Sequence, residues 1–209
     1  MSDDEYWIIP LLVSVGLALY GYKSNFSLMP VFKSSSLYSF TSSLNLLLLG
    51  AIFLSLVIPT IHDLWMLSMP SRNVDVWLGF FIISCAVQFY VSFNVATFLI
   101  IAIAIILMKR VVFHLAPADI LAMCTIMAAL NPFQQVTFFA LTVVVDKFLR
   151  IFLMFISREK HAYAFIPVVI VALGIFLAFV LHFNGFIKIS FIGQLLSSLG
   201  SLGKTPIKF

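Results

Sequence analysis

Charge is scarce in this chain: of 209 residues, only 10% are Asp, Glu, Lys or Arg. Soluble domains carry about 25%, so the chain cannot give itself a water-facing surface. The net charge of +4 is scattered, with no basic run of the kind that binds nucleic acid. Cysteine is nearly absent. Cys85 and Cys124 lie in separate apolar runs without Cys-x-x-Cys spacing, which makes them reduced packing residues rather than metal ligands or a disulfide. The opening "MSDDEYWIIP" is acidic where a secretory signal would be basic, so no cleaved signal peptide is expected. Internal repeats are missing too, which argues against transporters built from paired halves.

What the chain has instead is apolar mass: 63% hydrophobic residues, including 23 Phe. Lipid must cover most of it. The expected fold is all-α, a polytopic transmembrane helix bundle, because lipid-exposed backbone must satisfy its own hydrogen bonds and the runs lack strand alternation. Seven apolar runs mark helices over about 6–22, 43–61, 76–92, 95–109, 113–130, 133–156 and 162–182. Residues 1–42 then form an extra N-terminal span with a Ser-rich linker. Residues 43–182 form a six-span core, and 183–209 a weakly amphipathic interfacial tail. "NPFQQ" (131–135) and "SREKH" (157–161) read as short polar turns, and 62–75 as a longer polar loop. Trp7, Trp65 and Trp77 fall near the expected interfaces as anchors. The Phe-rich faces read as lipid contact, so no cofactor is expected.

Basic residues orient the core. Loops on one side hold Arg72, Lys109, Arg110, Arg150, Arg158 and Lys160, while those near 92–95 and 131–133 hold none. The first set belongs in the cytoplasm of a multi-pass cell-membrane protein.

Two acids then fall toward the same leaflet. Asp63 lies just past the 43–61 helix, two crossings follow, and Asp119 enters from the same side. Asp119 sits six to nine residues inside its apolar run, roughly 9–14 Å of helix rise. A carboxylate in a bilayer is costly and needs a partner or a reaction. Two carboxyls meeting in a shielded wet pocket cannot both ionise easily, which suits an aspartic protease: one acid activates water, the other polarises the scissile carbonyl. Topology alone leaves two other readings open, an ion or proton path and plain structural pairing. Asp75 is a rival first aspartate, ranked behind Asp63 because Asp63 directly ends an apolar helix. Asp146 precedes Arg150 by four residues, the spacing of a helical ion pair. His114, five residues before Asp119, reads as a packing residue.

The local motifs add to this. "APADILAM" followed by "CTIMAALNP" resembles the second motif of the archaeal prepilin and preflagellin peptidases, intramembrane aspartic proteases of Gly-x-Gly-Asp type. In that family a Pro closes the following helix, here Pro132. "LVIPTIHDLWMLSMPSRNVDVWLG" resembles the first motif, with Pro70, Arg72, Val76 and Trp77 in the family's order. "REKHAYAFIPVVIVALG" is similar to the start of its last helix. The resemblance covers about 43–182. It implies Asp63 and Asp119 as the catalytic pair and cleavage of prepilin- or prearchaellin-like precursors at the cytoplasmic face, between a short basic leader and the hydrophobic helix. With no cysteine-bearing methyltransferase insert, it implies proteolysis without N-methylation. The family's glycines are Ala116 and Ala118 here, flanking Pro117, and the basic residue after the second Asp is Leu121. Pro117 is expected to open the helix and present Asp119 without glycine. The alternatives are a small proton-coupled transporter using Asp119 and Asp146, or a non-catalytic divergent relative.

Overall fold

The computed structural model describes residues 6–23, 43–66, 71–91, 93–112, 115–156 and 165–183. These form seven α-helices and no strand: α1 Ile8–Lys23, α2 Ser43–Met66, α3 Ser71–Val91, α4 Val95–Leu107, α5 Pro117–Ala128, α6 Pro132–Ile156 and α7 Ile166–Phe183. A single π turn, Met108–Val112, extends α4. The expected linker over 24–42 and tail over 184–209 lie outside the described residues, as do Pro70, His114, Arg158 and Lys160.

Two helices, over Asn45–Trp65 and Asn73–Tyr90, are long and apolar enough to cross a membrane. Among the described residues no other helix is both long and apolar enough, so the expected six spans reduce to two of that kind. The 12 residues of α5 rise only about 18 Å, against a hydrocarbon core of about 30 Å.

This short helix is the hub. Every residue from Ile120 to Leu130 is buried, because α5 packs against α2, α3, α4 and α7 at once. Thr125 pins one of these seams: its hydroxyl donates to the Trp77 carbonyl of α3 at 3.1 Å and to its own Leu121 carbonyl at 2.7 Å. Trp77, expected at an interface, is 1% exposed. Its indole N–H finds Ser55 Oγ of α2 at 3.3 Å, and a buried Trp needs such a partner. Trp65 is 68% exposed, as an anchor would be.

The N-terminal helix packs lengthwise on α4. Trp7 lies under the Lys109 ammonium, 5.8 Å from its ring centroid, while Gly21 meets Phe93 and Val95. The contacts pair the first residues of α1 with the last of α4, so the two run antiparallel. Gly21 is what lets the far ends close. A Cβ there would stand 2.6 Å from the Phe93 ring.

The corner between α5 and α6 departs from expectation. "NPFQQ" reads as a short polar turn, yet Asn131, Gln134 and Gln135 are all buried. Burial is eased because the corner satisfies many of its polar groups itself, although Gln135 Oε1 is buried without a hydrogen-bond partner among the described residues. Asn131 Oδ1 accepts from the Gln134 N–H at 2.9 Å, and Gln134 Oε1 accepts from the Asn131 N–H at 3.2 Å. That is a reciprocal capping box with Pro132 at the first helical position. Gln135 Nε2 donates to the Met127 carbonyl at 2.8 Å, and Gln88 Nε2 of α3 to the Leu130 carbonyl at 3.3 Å. Carbonyls left open at the end of α5 are thereby closed.

Several polar side chains are buried within the largely apolar core, and several large apolar ones are exposed. Asn45, Ser84, Gln88, Thr142 and Asp146 are buried, while Leu47, Leu54, Ile58, Phe148 and Phe152 are exposed. Cys85 and Cys124 are buried free thiols.

Candidate active site

The first acid sits differently from the sequence expectation. The helix bearing it does not end near residue 61; α2 continues to Met66, so Asp63 lies in its last turn. The loop expected over 62–75 shrinks accordingly, since α3 begins at Ser71 and takes in Asp75. Pro59 inside α2 has no N–H to give, and just past it the Thr60 hydroxyl donates to the Leu56 carbonyl at 2.7 Å.

An acid at a helix C-terminus faces carbonyls and the negative end of the helix dipole. Asp63 finds compensation on another helix. Its Oδ2 accepts from the Ile166 N–H, the first of α7, at 3.1 Å, and the Phe165 backbone N–H also bonds to the carboxylate. The sequence of α7 leaves that donor open. Pro167 has no N–H, and the Val168 and Val169 N–H groups both turn back to the Phe165 carbonyl, at 2.9 and 3.2 Å. Asp63 is thus buried at 9% exposure with a helix N-terminus aimed at it.

Asp119 is reached from the opposite direction. Beyond the π turn the Leu115 N–H returns to the Met108 carbonyl at 3.3 Å. Ala116 is extended, at φ −64 and ψ 154, and Pro117 opens α5. Asp119 is therefore the third residue of its helix, not six to nine residues inside one. Pro117 and the extended Ala116 move the helix start. The negative φ at Ala116 suits alanine, and Ala118 lies within the helix, so the loop needs no glycine at either position. Ala116 has no side chain to cap with. The Asp119 carboxylate reaches back to the Ala116 N–H instead, which is the acidic half of a capping box. Asp119 is half-buried.

The two carboxylates come from helices 56 residues apart in sequence and lie within electrostatic range of each other. His62 is within range of Asp63 as well. Sequence reasoning missed His62, although its place beside Asp63 in "IHD" was visible. It also missed Ile166, whose contribution is a backbone group that no side-chain motif announces. The rival acids lie elsewhere. Asp75 is exposed and accepts from the hydroxyl of Tyr6, just before α1, at 3.4 Å. Asp146 is fully buried on α6, with an ion pair to Lys147 at 3.9 Å. Among the described residues no three His, Cys, Asp or Glu side chains converge as metal ligands.

No protein-family model, curated protein or solved structure matches the chain.

Proposed function

We propose that this chain is a membrane-embedded aspartic endopeptidase whose catalytic pair is Asp63 and Asp119. One observation carries the reading: two carboxylates from separate helices, α2 and α5, stand within electrostatic range of each other. In the reaction one carboxylate takes a proton from water, and the other, protonated, donates to the scissile carbonyl oxygen as the hydroxyl adds. The tetrahedral adduct collapses with protonation of the leaving amine. A helical substrate must unwind at that bond, because helix hydrogen bonding occupies its carbonyl.

The motif resemblance around both acids supplies the substrate class, prepilin- or prearchaellin-like precursors. Exposed apolar and buried polar side chains support a lipid setting, and the basic loops support an active site at the cytoplasmic face of a multi-pass protein. A second reading has its own observation. Both carboxylates accept backbone N–H groups at helix starts, so the pair also serves as architecture.

The test is cleavage of a prepilin by membranes carrying the wild type, Asp63→Asn, Asp119→Asn or Asp75→Asn at matched expression. Cleavage by the wild type and Asp75→Asn alone is expected. Undiminished cleavage by Asp119→Asn would leave the acids with the architectural role only.

A further inference from the structure

Resting on the proteolytic reading, we propose that the first turn of α7, through the Ile166 N–H and Pro167, is the positioning element that holds Asp63 in register with Asp119. The two acids are fixed in unlike ways. Asp119 is held by its own helix start, through the Ala116 N–H. Asp63 has no such local donor, because it lies in the last turn of α2, where backbone N–H groups are already spent within the helix. Its carboxylate orientation therefore depends on a helix 103 residues further along the chain.

The sequence at that point narrows the donor set. Pro167 removes the N–H at the second helical position, and Val168 and Val169 are bonded to the Phe165 carbonyl. What remains for Asp63 is the Ile166 N–H, assisted by that of Phe165. A carboxylate with one oxygen held this way has its rotamer restricted by α7. Ile166 and Phe165 are themselves buried, so the clamp is shielded from competing water. Its consequence is kinetic. Misplacement of a catalytic group by about 1 Å can cost a hundredfold in rate, so loosening α7 lowers turnover while substrate binding is left largely as it was.

Backbone donors can be deleted selectively here. Ile166→Pro removes the N–H, and proline fits the first position of a helix, where it biases the preceding residue toward the extended backbone of a cap. Ile166→Ala removes more side-chain volume than Ile166→Pro but keeps the N–H, so a lower rate in the proline variant cannot come from lost packing volume. The experiment measures kcat and KM on a prepilin for both, with hydrogen exchange of the Ile166 amide in the wild type, Ile166→Ala, Asp63→Asn and Asp63→Ala. The expected result is a kcat about tenfold or more lower for Ile166→Pro than for Ile166→Ala, with KM alike. The Ile166 amide should be protected in all but Asp63→Ala, since asparagine retains an acceptor oxygen. Equal kcat for the two Ile166 variants overturns the positioning role. Absence of wild-type cleavage, with the amide still protected by Asp63, overturns the proteolytic reading and identifies the clamp as architecture alone.

Discussion

Asn131 and Gln134 exchange side-chain and backbone hydrogen bonds in both directions, at 2.9 and 3.2 Å, inside the bundle rather than at its surface. This reciprocal pair decides where α5 stops and α6 starts, and so how much of the central helix lies among its neighbours.

Removing either partner should therefore be costly. Asn131→Ala is expected to lose about 1–2 kcal/mol, the upper range for a cap, because the orphaned N–H groups are buried. Gln134→Leu should lose a similar amount, and the double variant less than the sum, since each single change already breaks the exchange. Thermal unfolding of the purified protein in detergent checks both the size and the coupling. Additive losses would mean that the two bonds act separately.

Gly21 and Gly16 on α1 should respond oppositely to alanine. A Cβ at Gly21 would crowd the Phe93 ring and Val95, whereas one at Gly16 meets nothing within 4 Å. Gly21→Ala is expected to cost about 1–3 kcal/mol through overpacking. Gly16→Ala should be neutral or stabilising by up to about 1 kcal/mol through helix propensity. The same unfolding assay measures both; a harmless Gly21→Ala would mean that α1 does not close on α4 as described.

Single cysteines report the topology. With Cys85 and Cys124 replaced, cysteine at 75 or 110 should label from the cytoplasmic side, and at 90 from the other. Asp75, Arg110 and Tyr90 are all exposed, whereas Pro132, in the corner once expected to be open, is buried and unsuitable. Labelling of 75 and 110 from opposite sides would separate the ends of α2 and α4 and remove the basis for a shared site.

Much of the helix pattern was legible because apolar runs are long and their punctuation is chemical. Asn94 caps α4 through Oδ1 and the Ala96 N–H, and Pro132 opens α6, within a residue of the expected starts. The misplacements share one cause. Polar residues suggest solvent in a sequence, but several here have protein partners that arrive from elsewhere in the chain. Asp63 reads as part of a polar loop because Ile166, whose N–H donates to it, is 103 positions away. Trp77 looked like an anchor because Ser55 and the seam with Thr125 are not adjacent to it. "NPFQQ" carried its capping pattern openly, yet no periodicity says that such a corner is buried. At the candidate site, the sequence singles out Asp63 and Asp119 as acids that punctuate apolar runs, and the packing of α2 against α5 is what the structure adds. The helix starts that hold them were not legible, since backbone N–H groups leave no mark on composition.

The α5–α6 corner bears on how the molecule is assembled. Between Met127 and Gln135 the chain closes most of its own polar groups locally, through the capping box and the Gln135 bond to Met127. Such a hairpin can leave water as one unit, before any other helix is in place, because few of its amides still need outside partners. The Leu130 carbonyl takes its donor from outside, from Gln88 of α3, a helix made earlier by the ribosome. The order of synthesis thus delivers the missing partner ahead of the group that needs it.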